Sequence, residues 1–446
     1  MVSLTHNRSS LNPALLLEKL KSLSPFRKYL VAFSGGMDSH VLLHLLSKLK
    51  QQNSYLSLRA VHIHHGLQKV ADCWPEHCQS ICDDLGIPLE IYYLDLNLES
   101  GDSVEAVARQ GRYQAFQSII QKGEVLLTAH HQRDQAETLL LQLFRGAGVQ
   151  GLAAMPVIMD SNNGVHIRPL LDESYQSLQA YAVENKLNFI EDPSNQNNSF
   201  DRNFLRNQVL PKLRDHWQGL DKTLSRAAKI QSETKTLLDQ MAEALRVNCA
   251  EYSNANMVSN TLSVDCLLSL PRGKQKLLIR YWITKKGFLA PSEKKLKTVL
   301  NEVLLAKEDA QPLVTWQGVE IRRFNHQLYC DAPLTEHDNT QRLSWDGLTP
   351  VVIDSLGITI KPAVLASVQC YNEPLSIRFR QGGESLLLAK MAKNNKNKTL
   401  KKYLNEAGVP PWLRDRLPLI YCGESLIKVV MLQDVSVLQH EKNKTI

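Results

Sequence analysis

The stretch KYLVAFSGGMDSHVLLHLL, residues 28–46, limits this chain's folds more than any other. Its apolar opening reads as a buried strand, and the run from Ser39 onward reads as a helix. Only the small and polar residues of SGGMDS (34–39) separate the two. The strand must therefore enter the helix through a tight turn. Small residues let backbone N–H groups converge on one point, and the helix turns its positive end to the same point. Such a turn is an anion seat. It lacks the lysine of G-x-x-x-x-G-K-[ST] and the spacing of G-x-G-x-x-G, so it fits neither pattern. Asp38 belongs beside phosphates if Mg²⁺ lies between carboxylate and phosphate oxygens. The plainer alternative is a glycine-rich turn with a capping aspartate.

The same alternation continues downstream. KYLVAF (28–33), LRAVHI (58–63), LEIYYL (89–94) and EVLLT (124–128) read as strands. Helices are expected at 39–50, about 72–85, about 103–121 and about 133–144. This pattern predicts an α/β domain with a parallel sheet covered by helices on both faces. Ligands in such sheets bind beyond the carboxyl ends of the strands, where the strand order reverses. From about 216 to 300 the pattern is helical and charged, 312–330 reads as a hairpin pair, and polar 331–347 reads as a linker. The last hundred residues mix short strands with a basic segment. The division expected is 1–215, 216–335 and 346–446.

Composition excludes several classes. With 43% hydrophobic and 22% charged residues the chain is of ordinary globular type. No apolar run reaches the ~18 residues of a membrane span, and the N-terminus carries no signal-peptide pattern, so a cytoplasmic protein is expected. None of the eight cysteines forms a C-x-x-C pair. CWPEHCQSIC (73–82), with His77 inside it, suits one helix face better than a zinc site. A disulfide framework is not expected in so long a chain. The net charge of +7 permits an anionic partner and says no more.

SGGMDS resembles the PP-loop of the ATP pyrophosphatase superfamily. VHIHHGL (61–67), EAVARQGRYQAF (105–116) and LLTAHHQRDQAETLLLQLFRGAGVQGL (126–152) together resemble tRNA(Ile)-lysidine synthetase. EDPSNQNNSFDRNFLRNQVLP (191–211), DAQPLVTWQGVEIRRFNHQLYC (309–330) and the segment 377–430 continue the resemblance. It implies a Rossmann-like PP-loop catalytic domain, adenine nucleotide α-hydrolase-like, then a mainly helical domain and a small α+β C-terminal domain. It implies ATP and Mg²⁺ as cofactors, and L-lysine and a tRNA(Ile) with a CAU anticodon as partners. A homodimer is possible. The reaction implied adenylates the C2 oxygen of the wobble cytidine, releases pyrophosphate, and lets the lysine ε-amine expel AMP.

The resemblance also distributes roles. Ser34, Gly35, Gly36, Met37, Asp38 and Ser39 would hold the nucleotide, with Asp38 on the metal, and His64 would lie near the adenine. For His62, His64, His65, His130 and His131 a packed or hydrogen-bonded role weighs more than acid–base work. Arg109 and Arg112, three apart on one helix face, are either a solvated pair or a clamp on the α-phosphate. Asp134 and Glu137, also three apart, are either first-turn carboxylates or the lysine site. Arg202, Arg206, Arg378, Arg380, Lys398, Lys401, Lys402 and Arg414 are expected to contact tRNA. The alternatives are another PP-loop tRNA-modifying enzyme, such as a thiolase, and an inactive tRNA-binding protein. A thiolase would want paired cysteines.

Overall fold

A computed structural model describes residues 11–66, 69–95, 104–161, 163–251, 261–307, 310–366, 373–386, 398–431 and 435–437. The chain divides into two compact units, residues 1–237 and 238–446.

The first unit alternates strand and helix as the apolar pattern requires. In order it holds α1 (Pro13–Leu23), β1 (Lys28–Ala32), α2 (Met37–Gln52), β2 (Ser57–His64), α3 (Trp74–Asp84), β3 (Leu89–Tyr93), α4 (Val104–Ile119) and β4 (Glu124–Leu127). Then come α5 (Gln132–Phe144), α6 (Val149–Leu152), β5 (Ile158–Asp160), β6 (Gly164–Ile167), α7 (Tyr175–Glu184), α8 (Asp201–Phe204) and α9 (Leu210–His216), and α10 (Leu220–Glu251) carries the chain across residue 237 into the second unit, to which Cys249 belongs. The sheet runs β3-β2-β1-β4-β6-β5, parallel except for the antiparallel edge pair β5–β6. The order turns outward in both directions from β1 and β4. Their carboxyl ends are the switch point of the sheet.

Successive strand residues face opposite sides and feed two cores. Tyr29, Val31, Val125 and Leu127 join α1, α2, α3 and α7 on one face. Leu30, Val61 and Leu126 join Phe116 of α4 and Ile120 just beyond it on the other. Cys78 and Cys82 of α3 lie in the first of these cores, and burial pushes both thiols up to about 12. They are packing groups beneath the turn after β1.

At the far end of the sheet Arg59 grips the buried Glu124 with two bonds of 2.7 and 2.8 Å and reaches Glu90 at 2.8 Å.

After the end of α10 the second unit continues with β7 (Leu262–Ser263), α11 (Val264–Ser269), α12 (Arg272–Lys285) and α13 (Glu293–Thr298). β8 (Leu313–Trp316), β9 (Val319–Phe324) and β10 (Gln327–Asp331) follow. The segment expected to hold a hairpin pair is thus a three-strand meander, and β7 adds to it in the order β7-β10-β9-β8. Trp282, Ile283, Leu300, Val303 and Ile321 fill its core. Cys249 and Cys266 are disulfide-bonded with Cα atoms 5.4 Å apart. No framework was expected, and nothing in their spacing marks the pair. Packing of α10 and α11 on one core brings them together.

The remaining strands are β11 (Arg342–Trp345), β12 (Val351–Ile353), β13 (Ile358–Ile360), β14 (Leu375–Arg378), β15 (Ser385–Leu386) and β16 (Lys398–Thr399). After α14 (Leu400–Glu406) and α15 (Pro411–Arg414) come β17 (Leu419–Cys422), β18 (Ser425–Val429) and β19 (Val435–Val437). They form a six-stranded sheet, β11-β14-β17-β18-β15-β16, and a three-stranded one, β12-β13-β19. The stretch 331–347, read as a linker, therefore contains a strand. Arg342–Trp345 pairs antiparallel with Leu375–Arg378, and Trp345 is buried.

Replacing Arg59 with methionine leaves Glu124, 4% exposed in its side chain, without its cation. Such a loss costs about 3–5 kcal/mol. Urea unfolding is expected to show this drop, and Glu124→Gln in the same background should recover part of it.

Candidate active site

The turn after β1 is built around Gly35, whose φ of +84° suits glycine. A Cβ there would lie 3.0 Å from Ile190 Cδ1 and 3.1 Å from Cys78 Sγ. Ile190 N–H donates to the Gly35 carbonyl at 2.9 Å, fastening the turn to the chain after α7. The hydroxyls of Ser34 and Ser39 meet at 3.0 Å, and Ser39 Oγ donates to the Gly36 carbonyl at 2.9 Å. Gly36 caps α2 with no side-chain oxygen. Met37 opens α2 and packs on the core below. The positive end of a sixteen-residue helix thus faces the switch point.

α5 starts from the neighbouring strand, and its cap joins the two helices. His131 Nδ1 accepts from Arg133 N–H at 3.2 Å, and Asp134 Oδ2 accepts from His131 N–H at 3.0 Å. This is a capping box with a histidine in the place of Ser or Thr. Because Nδ1 accepts, the neutral ring carries its proton on Nε2. That nitrogen lies 3.4 Å from Asp38 Oδ2. Burial works against charge on His131, but Asp38, Asp134 and Glu137 outweigh it and raise the pKa. Asp38 Oδ1 is buried and without a hydrogen-bond partner.

Asp134 and Glu137 share the inner face of α5, as their spacing requires. Arg202 Nε donates to Glu137 Oε2 at 2.7 Å and its Nη2 to Asp134 Oδ1 at 3.0 Å. Arg206 holds Glu137 with two bonds of 2.6 and 2.7 Å. Glu137 is fully buried. Burial works to raise the Asp134 pKa, yet His131, Arg202, His130 and Arg206 hold it well below the usual carboxylate range. Burial likewise opposes the charge on Arg206, and Glu137, Asp134 and Asp38 overcome it.

Arg202 and Arg206, expected on the tRNA surface, are therefore committed to these carboxylates. They stand four apart on one helical face, 65 to 72 residues beyond their partners. A π turn, Leu205–Val209, carries Arg206. It arises where Pro211 has no N–H to give back to the preceding turn.

Arg109 and Arg112 are exposed on α4. Arg109 stands 5.7 Å over the Tyr113 ring and acts on His130, whereas Arg112 acts on His65. His64, at the end of β2, is buried, with Nε2 3.4 Å from Asp72 Oδ1. His62 is buried too, its Nδ1 3.0 Å from the Phe33 carbonyl.

In the second unit Arg378 pairs with Glu424 at 2.7 Å and Arg380 with Asp415 at 2.8 Å. Arg414 donates to the Val409 carbonyl at 2.9 Å. Lys401 and Lys402 are exposed on α14. The Lys398 side chain lies outside the described residues, as do Lys390, Lys393 and Lys396.

Family models match this chain along most of its length. They are a PP-loop domain over residues 11–213, a TilS substrate binding domain over 262–329, and a TilS substrate C-terminal domain over 375–445. The chain is 41% identical over 424 residues to the tRNA(Ile)-lysidine synthase of Coxiella burnetii, covering 94% of this chain and 92% of that one. It is 38% identical over 407 residues to that of Methylococcus capsulatus, covering 89% and 90%. The chain belongs to the tRNA(Ile)-lysidine synthase family. It is an enzyme of the ligase class, built on an ATP-using PP-loop domain. The PP-loop domain match ends at residue 213, so it takes in the turn after β1, the α5 carboxylates and both of their arginines.

Deeper in the same site, burial is the main cause that drives the His166 pKa down to about 2, with Arg168 and His130 adding to it. The unfolded chain takes up this proton near pH 6.5 and the folded one refuses it. Stability is therefore full above that pH and is lost as pH falls. Going from pH ~7 to ~5 should cost about 2 kcal/mol through this one group. Urea midpoints at the two pH values measure it, and His166→Gln should flatten the dependence.

Proposed function

We propose that this chain joins free L-lysine to C2 of the wobble cytidine of a tRNA(Ile) with a CAU anticodon, consuming ATP and releasing AMP and pyrophosphate. The observation that carries the reading is the closed charge cluster beside an anion-binding turn. Two carboxylates and two guanidiniums lie together at the switch point, next to Asp38.

The turn supplies what a triphosphate needs. Ser34, Gly35, Gly36 and Ser39 offer small side chains, hydroxyls and N–H groups beside a helix N-terminus. Asp38 fits a divalent cation, because its Oδ1 is buried and unpartnered while His131 holds Oδ2. Mg²⁺ at Asp38 and the phosphates would neutralise charge that builds up as pyrophosphate leaves. Arg109 and Arg112 lie on the helix leading into β4 and suit the α-phosphate.

The mixed cluster suits a free amino acid. Asp134 and Glu137 complement an α-ammonium, and Arg202 and Arg206 complement an α-carboxylate. This leaves the ε-amine outside the cluster, where it can lose its proton. Free in water that amine has a pKa of ~10.4, and only its neutral form attacks. A carboxylate clamped on the ε-nitrogen would hold the proton in place. The amine attacks C2 of the adenylated cytidine, the C2–O bond breaks, and AMP leaves with the oxygen.

An anticodon loop offers a base that can be unstacked at low cost. The substrate places the enzyme in the cytoplasm. The middle and C-terminal segments, 216–335 and 346–446, are the tRNA-holding domains in this reading. Lys401 and Lys402 suit phosphate contact. Arg378, Arg380 and Arg414 are engaged within the fold, and any RNA contact must share them.

The defining assay supplies ATP, lysine and total tRNA. Lysine-dependent AMP formation on one tRNA species, with lysidine found by mass analysis of its nucleosides, is the expected result; AMP formation without lysidine would refute the reading. Asp134→Asn should raise the KM for lysine about 10-fold and leave that for ATP within about 3-fold. Equal effects on both would remove Asp134 from the lysine site. Neutralising Lys401 and Lys402 should lower the log–log salt slope of tRNA binding by ~0.7–0.9 for each lost phosphate contact.

A further inference from the structure

A second chain of polar groups lies behind the α5 cap, and its hydrogen-bond directions can be read from elementary chemistry. Arg168, Tyr113, His166, Thr128 and His130 meet at the carboxyl ends of β4 and β6. Arg168 is 3% exposed. Its Nη1 donates to the Pro156 carbonyl at 2.8 Å, and its Nη2 lies 3.4 Å from His166 Nδ1. A guanidinium has only hydrogens to offer, so His166 Nδ1 must accept. The neutral His166 ring then bears its proton on Nε2. That nitrogen lies 2.8 Å from Thr128 Oγ1, to which it donates. The same hydroxyl lies 2.9 Å from His130 Nδ1. Among the described residues these two rings are its hydrogen-bond partners. If both rings donated, the buried hydroxyl hydrogen would have no acceptor, which costs a full desolvation penalty. Thr128 therefore donates to His130 Nδ1, and the His130 proton sits on Nε2.

We propose that Arg168 is a positioning residue that works through His166 and Thr128 to fix His130 as a neutral Nε2–H donor in the crevice beyond β4. The donor serves an oxygen of the substrate, either on the α-phosphate or on cytidine C2 as AMP becomes attached to it. The setting supports that use. Asp134, Arg168, Arg202 and Arg109 all act electrostatically on His130, so it stands among the groups assigned to phosphate and lysine. A neutral ring held in one tautomer donates to developing negative charge without reorganising. A charged ring would add a further cation to a place that already holds three guanidiniums. Burial, as the main cause, drives His130 down to about 3, which agrees with the neutral form.

The role of the donor rests on the proposed reaction, whereas the tautomer does not. Long-range ¹H–¹⁵N NMR of the full chain reads the tautomer directly. Both His130 and His166 are expected as Nε2–H in the wild type. Thr128→Val should leave His166 in that form and release His130 to a mixture of tautomers. An Nδ1–H form of His130 in the wild type overturns the proposal, whatever the enzyme does with ATP.

Kinetics test the rest. Thr128→Val should lower kcat for pyrophosphate release about 10-fold with the KM for ATP nearly unchanged, and Thr128→Ser should restore it. His130→Ala should lower kcat further, by about 100-fold. The double variant Thr128→Val/His130→Ala should be no slower than His130→Ala alone, because Thr128 acts only through His130. Multiplicative losses in the double variant, or full activity in Thr128→Val, overturn the positioning role. Should the wild type release no pyrophosphate with tRNA and lysine, the assigned reaction fails while the NMR result still decides the tautomer. Arg168→Met, compared with Thr128→Val in the same NMR experiment, is expected to scramble His166 as well.

Discussion

Everything at this site depends on β1 and β4 being parallel neighbours from which the sheet order departs in opposite directions. That arrangement points the N-termini of α2 and α5 into one crevice at the strand ends. Two helix dipoles favour acids there, and three acids are present: Asp38, Asp134 and Glu137. Packed so closely they would repel one another. His131 and the arginines from α8 and the following turn resolve the conflict. His131 spans Asp38 and Asp134, and the guanidiniums enclose Asp134 and Glu137. The cluster is thus a consequence of topology plus charge balance.

That balance also separates two kinds of buried group. Glu124 and Arg59 form a pair at the opposite end of the strands, where each satisfies the other and joins β2 to β4 across the sheet. Asp38 differs because one of its oxygens is satisfied and the other is not. A buried carboxylate oxygen without a partner is costly for folding alone. Its presence beside an anion-binding turn is what sets the site apart from a well-packed βα junction.

The four strands β1 to β4 and the helices α2 to α5 were legible because their apolar residues alternate with clear periods, whereas the short edge strands β5 and β6 and the helices α1 and α6 to α9 were not expected. The ends of β1, β2, β4 and α5 fell within two residues of those expected, and the turn announced itself through Ser34, Gly35, Gly36 and Asp38. The arginine partners were not legible. Arg202 and Arg206 sit in a basic stretch that reads as a nucleic-acid surface, and their carboxylates lie more than sixty residues earlier. Local pattern carries no information about that pairing. His131 was hidden for a different reason: its capping role belongs to Ser, Thr, Asp or Asn in most helices. The same held for Arg342–Trp345, whose polar surroundings mask a strand paired thirty residues downstream, and for Cys249–Cys266. In each case a tertiary neighbour decided the outcome.

The widened turn Leu205–Val209 has an effect beyond holding Arg206. A π turn accommodates one residue more than the α-helical path, and each α-helical residue advances the backbone by about 100°. Deleting a single residue there would let the segment relax to the ordinary α-helical path and keep the later side chains of α9 near their present phase. Inserting one finds no such slack: it would rotate those side chains about the helix axis, and Arg214, which grips Asp221 at the start of α10, would swing away from it. The widened turn is thus one residue of slack already taken up, and insertions here should be tolerated far less well than deletions.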